Sequence, residues 1–126
     1  MSTYLLDTHV LIWQATDSPR LSQRARQIID SNLLISHASI WEMAIKASLG
    51  KLNLSVPLQE FIEEEIRVNQ YQLLSIQLEH MFPLASLTFH HKDPFDRLLA
   101  CQALAEKIPI LSADGALDAY RVERVW

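Results

Sequence analysis

A chain of 126 residues with 49% hydrophobic residues, 21% charged residues and a formal net charge of -4 fits one globular domain over residues 1–126 and excludes a disordered chain. The lone Cys101 excludes an internal disulfide and a thiolate zinc site, and the slight acidity argues against a nonspecific nucleic-acid coat. The start Met-Ser-Thr-Tyr-Leu-Leu-Asp lacks the pattern of a signal peptide and no apolar run approaches the ~20 residues of a membrane helix, so a cytoplasmic protein is expected.

In chain order, Thr3-Tyr4-Leu5-Leu6 is short, apolar and β-prone, as a buried parallel strand is, and it stops at Asp7. Val10, Leu11 and Trp13 predict a short helix. After Ser18-Pro19, the spacing of Leu21, Ala25, Ile28 and Ile29 predicts an amphipathic one. Leu33-Leu34-Ile35 is a second strand. The helix after it is lined by Ile40, Met43, Ala44 and Ala47 and closes at Gly50, with Glu42 in its first turn. From Pro57, the residues Phe61, Ile62 and Ile66 mark a further helix whose Glu60, Glu63 and Glu64 face solvent.

Tyr71 to Ile76 is the next strand, and a helix from about Leu78 to Leu87 is bent by Pro83. The loop Thr88 to Lys92 leads into Asp93-Pro94-Phe95-Asp96 and a helix through Leu98, Leu99, Ala100, Cys101, Ala103 and Leu104, apolar all round and so buried. Ile108 to Leu111 is a strand, Ser112 to Gly115 a turn, and Val122 to Val125 an edge strand. This alternation predicts an α/β sandwich, three layers with a mostly parallel sheet of about five strands, in which ligands bind outside the carboxyl ends of the strands.

Asp7 and Asp114 follow strands directly, while Glu42 and Asp96 enter from helix starts. Each has a bland role as well. Asp7 can cap the helix after it, and Asp114 can end its strand in a turn with Gly115. Ser39-Ile40-Trp41-Glu42 matches a capping box, and Glu42 also sits four residues before Lys46. Asp93, Pro94 and Asp96 suit N-cap, N1 and N3 positions, so Asp93 is assigned to the cap and Asp96 to the crevice. Four carboxylates gathered in one crevice repel one another unless a cation joins them, which makes a metal-dependent hydrolase the first expectation.

The five histidines, His9, His37, His80, His90 and His91, show no zinc spacing and are not expected to ligate metal. Oxygen-only ligation points to Mg2+ or Mn2+. Lys46 and Arg97 are candidates for contact with a substrate phosphate or, equally, for ion pairs with the acids beside them. Lys51 and Lys92 are weaker rim candidates, and Trp13, Trp41 and Phe95 are expected in the core.

Taken together, Leu5-Leu6-Asp7-Thr8-His9-Val10-Leu11-Ile12-Trp13, Ser39-Ile40-Trp41-Glu42-Met43-Ala44-Ile45-Lys46, His91-Lys92-Asp93-Pro94-Phe95-Asp96-Arg97-Leu98-Leu99-Ala100-Cys101-Gln102-Ala103 and Leu111-Ser112-Ala113-Asp114 resemble a PIN domain, and within it the VapC-type toxins. The resemblance implies a parallel sheet between helices with Asp7, Glu42, Asp96 and Asp114 as catalytic and metal-binding acids, and Ser112 beside them near metal and substrate. It also implies a Mg2+- or Mn2+-dependent endoribonuclease that leaves a 5′-phosphate and a 3′-hydroxyl, commonly a homodimer, blocked by a small antitoxin protein. Two other readings compete: a catalytically silent interaction module, and a Mg2+-binding receiver-like signalling domain. The receiver reading is weakened because the strand from Tyr71 to Ile76 does not end on an Asp.

Overall fold

The computed structural model describes residues 2–126. Five strands, β1 (Thr3–Leu6), β2 (Asn32–Ser36), β3 (Gln72–Leu74), β4 (Ile110–Leu111) and β5 (Arg124–Val125), form one sheet in the order β3-β2-β1-β4-β5. Every pairing is parallel, with Leu5 opposite both Leu34 and Ile110. The helices are α1 (Thr8–Ala15), α2 (Gln23–Gln27), α3 (His37–Ser48), α4 (Leu58–Asn69), α5 (Leu78–Met81) and α6 (Pro94–Glu106), with 3-10 turns at Phe82–Ala85 and Gly115–Tyr120.

The two-residue period of a strand sends neighbouring side chains to opposite faces, and the core divides accordingly. Tyr4, Leu6, Leu33, Ile35 and Leu111 pack with residues of α1, α2, α3 and α4, including Leu11, Ala25, Met43 and Ile62. Leu5 and Ile110 turn the other way, onto Leu98, Leu99, Ala100 and Ala103 of α6 and onto Leu117, Tyr120 and Val122. Because it is covered by the sheet and by α5 and the loops, α6 is buried at every position from Asp96 to Ala103, as its all-round apolar sequence predicts.

Three elements differ from the sequence expectation. Asp30 and Ser31 take the chain into β2 soon after α2, which is therefore a five-residue helix that leaves Ile28 and Ile29 to pack from a turn. Pro83 ends α5 after one turn, and the chain continues as 3-10 helix rather than as a bent α-helix. Helix α3 begins at His37, with the Ser36 hydroxyl accepting from the Ala38 N–H, so Glu42 lies in the second turn and the capping box expected at Ser39 does not form. Its other end follows expectation. Gly50 adopts φ 71°, and the N–H groups of Gly50 and Lys51 return to the carbonyls of Ala47 and Lys46.

The chain leaves β1 toward β2 and β3 on one side of the sheet, then crosses to β4 and β5 on the other. The boundary between β1 and β4 is thus the topological switch point, where the connections diverge and open a crevice at the carboxyl edge.

Candidate active site

Asp7 follows β1, and Ser112 and Asp114 follow β4, so all three stand on the rim of the switch-point crevice. Asp7 is 3% exposed and precedes α1, yet its side chain makes no capping hydrogen bond. Oδ2 accepts from the Ser112 hydroxyl at 2.6 Å, and Oδ1 is buried without a hydrogen-bond partner among the described residues. An unpaired carboxylate oxygen held dry costs several kcal/mol in general, and a cation in the crevice removes that cost.

The remaining acids arrive on helices. Asp93 caps α6 by accepting from the Phe95 N–H, Pro94 takes the first helical position, and Asp96 projects from the first turn. Glu42, also 3% exposed, accepts from the Thr8 hydroxyl at 2.8 Å and from Lys46 Nζ at 2.7 Å. Thr8 itself lies 2.9 Å from the Ser39 hydroxyl, which ties α1 to α3 beneath the site.

Asp114 both caps the 3-10 turn after it, through the Ala116 N–H, and meets His91 Nε2 at 2.6 Å. His91 Nε2 is also 3.2 Å from Asp96 Oδ2, and one ligand atom from each of His91, Asp96 and Asp114 lies within 4.8 Å of the other two. The Asp93 N–H donates to Nδ1 of the same ring, so Nε2 carries the proton and donates to Asp114. His91 is the site neighbour that sequence reasoning missed: it belongs to a loop, and only the loop's return onto α6 brings it between two acids.

The electrostatics record the crowding. Asp96 is pushed up to about 7 by burial first and then by the charges of Asp7 and Asp93. Asp7 is also raised, mainly by burial with the charge of Glu42 adding, against the Ser112 hydrogen bond and His9. The Lys46 ammonium is held above its ordinary value by its hydrogen bond to Glu42, against burial, with the charges of Glu42, Asp93 and Asp96 assisting.

Two expected substrate contacts are corrected. Arg97 is buried, and its guanidinium donates to the carbonyls of Thr88 and Leu87 at 3.0 and 3.2 Å while stacking on Phe89 at 3.9 Å. It therefore closes the loop over α6, with Nη1 also 3.4 Å from the Tyr120 hydroxyl. Ser112 is fully buried, donates to Asp7 and accepts from the Asp114 N–H, so it orients two acids and does not face substrate. Lys46 does reach open space. With Lys51 and Lys92 it borders a groove of about 470 Å³ floored by Ile45, Leu49, Pro94 and Phe95. Trp41, expected in the core, is 56% exposed and meets Phe95 edge-on at 5.0 Å, while Trp13 and Phe95 are partly buried.

Fold and site together define a small doubly wound α/β domain with an acidic crevice at the switch point of its sheet. The family model for the PIN domain matches residues 4–123, and the chain belongs to that family. It is 28% identical over 138 aligned positions to ribonuclease VapC22 of Mycobacterium tuberculosis, with both chains covered completely. Among solved structures it is similar to FitAcB from Neisseria gonorrhoeae, with a TM-score of 0.69 at 16% identity over 98% of this chain and 96% of that one. It is also similar to VapBC2 from Rickettsia felis bound to a DNA fragment from their promoter, with a TM-score of 0.67 at 13% identity over 98% and 97%. Among the described residues no helix is long and apolar enough to cross a membrane.

Proposed function

We propose that this PIN domain is a Mg2+- or Mn2+-dependent endoribonuclease and the toxin of a toxin–antitoxin pair, acting in the cytoplasm as a single domain over residues 1–126. The observation that carries the reading is the buried, unpaired Oδ1 of Asp7 in a crevice where Asp96 is pushed up to about 7. Carboxylate and hydroxyl donors suit a hard divalent cation, and the named relative is a ribonuclease. The solved neighbours include VapBC2 on promoter DNA and FitAB bound to a DNA fragment, which supports a small antitoxin as partner; a homodimer is the assembly proposed with it.

Asp7, Asp96 and Asp114, with Glu42 behind them, would hold the cation. Bound there, a divalent ion supplies a Lewis acid for the phosphodiester and lowers the pKa of a water. The chain's own residues do the rest. Ser112 fixes the Asp7 carboxylate and the Asp114 backbone, Thr8 and Lys46 hold the Glu42 carboxylate in place, and His91 steadies Asp114. Lys46, Lys51 and Lys92 line the groove beside the acids, where they neutralise phosphates of an RNA strand leading to the cut.

The test is cleavage of labelled total RNA and defined hairpins by purified protein with Mg2+ or Mn2+, beside EDTA, Asp7→Asn and Asp96→Asn. Cuts that need the metal and vanish in both folded variants support the reading. Cuts that persist in either variant overturn the site assignment, and an inactive wild type that binds no Mn2+ overturns the nuclease itself.

A further inference from the structure

The acids are flanked by two unlike clefts. One is the lysine-bordered groove; the other, of about 280 Å³, is bounded by His9, Trp13, Arg20 and Ala113, with Asp7 and Asp114 as its inner wall. Trp13 is partly buried and wedged against Trp126, ring centres 5.7 Å apart, which fixes the indole plane. His9 lies 5.8 Å from the same ring, and the exposed Arg20 holds its guanidinium over the indole face, its carbon 5.9 Å from the ring centre.

The chemistry of this second cleft suits a base better than a phosphate. Its inner wall is anionic, so a phosphate placed here is repelled by Asp7 and Asp114 unless it shares the cation. A nucleobase carries no charge, stacks on a fixed aromatic plane and offers an edge to hydrogen-bond donors. Arg20 presents planar donors, and His9 adds a ring nitrogen at the cleft's rim. The volume is that of one nucleoside, not of a helix or a strand pair. The lysine groove has the other balance of charge, since Lys46, Lys51 and Lys92 outnumber Glu42 and Asp93 in its lining, and its aromatic lining residue is Phe95.

We infer that the His9–Trp13–Arg20 cleft is a nucleobase subsite that holds the base next to the cleaved phosphodiester and gives the enzyme its preference at that one position. The inference rests on the ribonuclease reading above. A base that displaces the exposed Arg20 guanidinium from over Trp13 takes the indole as its stacking plane and leaves Arg20 at its edge, while the lysine groove carries the strand's charge without reading its sequence.

The experiment maps cut sites in total RNA and in a 5′-labelled pool of randomised single-stranded RNA, for wild type, Arg20→Gln, His9→Gln and Trp13→Leu, each checked for folding by circular dichroism. Arg20 and His9 are exposed, so their variants keep the fold even where Trp13→Leu does not. The expected result is a wild-type base preference at one nucleotide beside the cut, lost in Arg20→Gln and Trp13→Leu. The loss comes with a rise in KM of about 5- to 100-fold, the range of a stacked base, and a small change in kcat. An unchanged preference and KM in the folded variants overturns the subsite. So does a KM rise with the preference intact, which makes Arg20 a phosphate contact, and so does loss of binding to a protein partner with RNA cutting unaffected. Wild-type protein that cuts neither substrate with Mn2+ defeats the ribonuclease reading first, and the subsite with it.

Discussion

Asp96 offers the sharpest test of the crowded-carboxylate argument. In the metal-free protein its carboxyl is pushed from 3.8 to about 7, chiefly by burial and then by Asp7 and Asp93. A group whose folded pKa is raised favours folding below its unfolded value and loses that contribution as pH climbs through the folded one. Metal-free protein should therefore lose stability between about pH 4 and pH 7 on account of this residue. A displacement of that size corresponds to at most about 4 kcal/mol, and the partial solvent access of the crevice reduces it to on the order of 1–2 kcal/mol. In EDTA at pH 8, Asp96→Asn should thus unfold at higher denaturant than wild type, although it removes a proposed metal ligand. Metal binding must expel the same proton. Between pH 8 and pH 6 the ionised fraction of a group at about 7 falls roughly tenfold, so Mn2+ affinity should fall by about that factor, with net proton release near pH 7. Calorimetry in two buffers of different ionisation enthalpy measures the release, and urea titration measures the stability. Mn2+ affinity that stays flat from pH 6 to pH 8, or Asp96→Asn less stable than wild type in EDTA at pH 8, refutes the reasoning.

Ser112→Ala removes the hydroxyl that holds Asp7 and accepts from the Asp114 N–H; it should cost about 1–2 kcal/mol in urea unfolding and weaken Mn2+ binding about 10- to 100-fold by calorimetry. Arg97→Met should cost about 2–4 kcal/mol, because the Thr88 and Leu87 carbonyls lose a charged donor, while the KM for RNA measured on the folded fraction stays unchanged; a phosphate-binding arginine would show the reverse. Gly50→Ala meets no steric obstacle, yet at φ +71° it should cost about 1 kcal/mol in thermal unfolding and leave metal affinity unaltered.

The parts of the fold that depend on local pattern were legible in the chain. Continuous apolar runs at Thr3–Leu6 and Leu33–Ile35 marked buried parallel strands, and Asp93-Pro94 marked the start of α6. Asp7 and Asp114 stand just past strands and Asp96 in a helix's first turn, as expected, whereas Glu42 lies one turn further into its helix. The misplaced residues were those whose role is decided by distant partners. Arg97 sits beside an acid in sequence, but the loop carbonyls that take its donors are nine and ten positions away, across the start of α6. Glu42 matched a capping box at Ser39, yet Ser36 at the end of β2 supplies the cap one turn earlier. Nothing in periodicity reports that His91 folds back between Asp96 and Asp114, because its position follows from the Tyr120 hydroxyl and the Asp93 N–H that anchor its backbone N–H and its ring.

The arrangement also explains why these acids tolerate one another before a cation arrives. Asp96 lies in the first turn of α6, where the helix dipole favours the anion by about 0.3–1 kcal/mol, but burial and the charge of Asp7 outweigh it and keep the carboxyl close to half protonated at neutral pH. Glu42 follows the other course, neutralised by Lys46 and by the Thr8 hydroxyl. Asp7 takes one hydroxyl from Ser112 and leaves one oxygen bare. Protonation, an ion pair and a single hydroxyl are three partial answers to one repulsion, and a divalent cation held by these acids would replace the protonation of Asp96. That ordering predicts that the Asp96 proton leaves first on metal binding while the Glu42–Lys46 pair persists, so Lys46→Met should weaken Mn2+ binding less than Ser112→Ala does. Calorimetric titration of the two variants side by side decides it, and a larger loss in Lys46→Met would reverse the assignment of Glu42 to a supporting place.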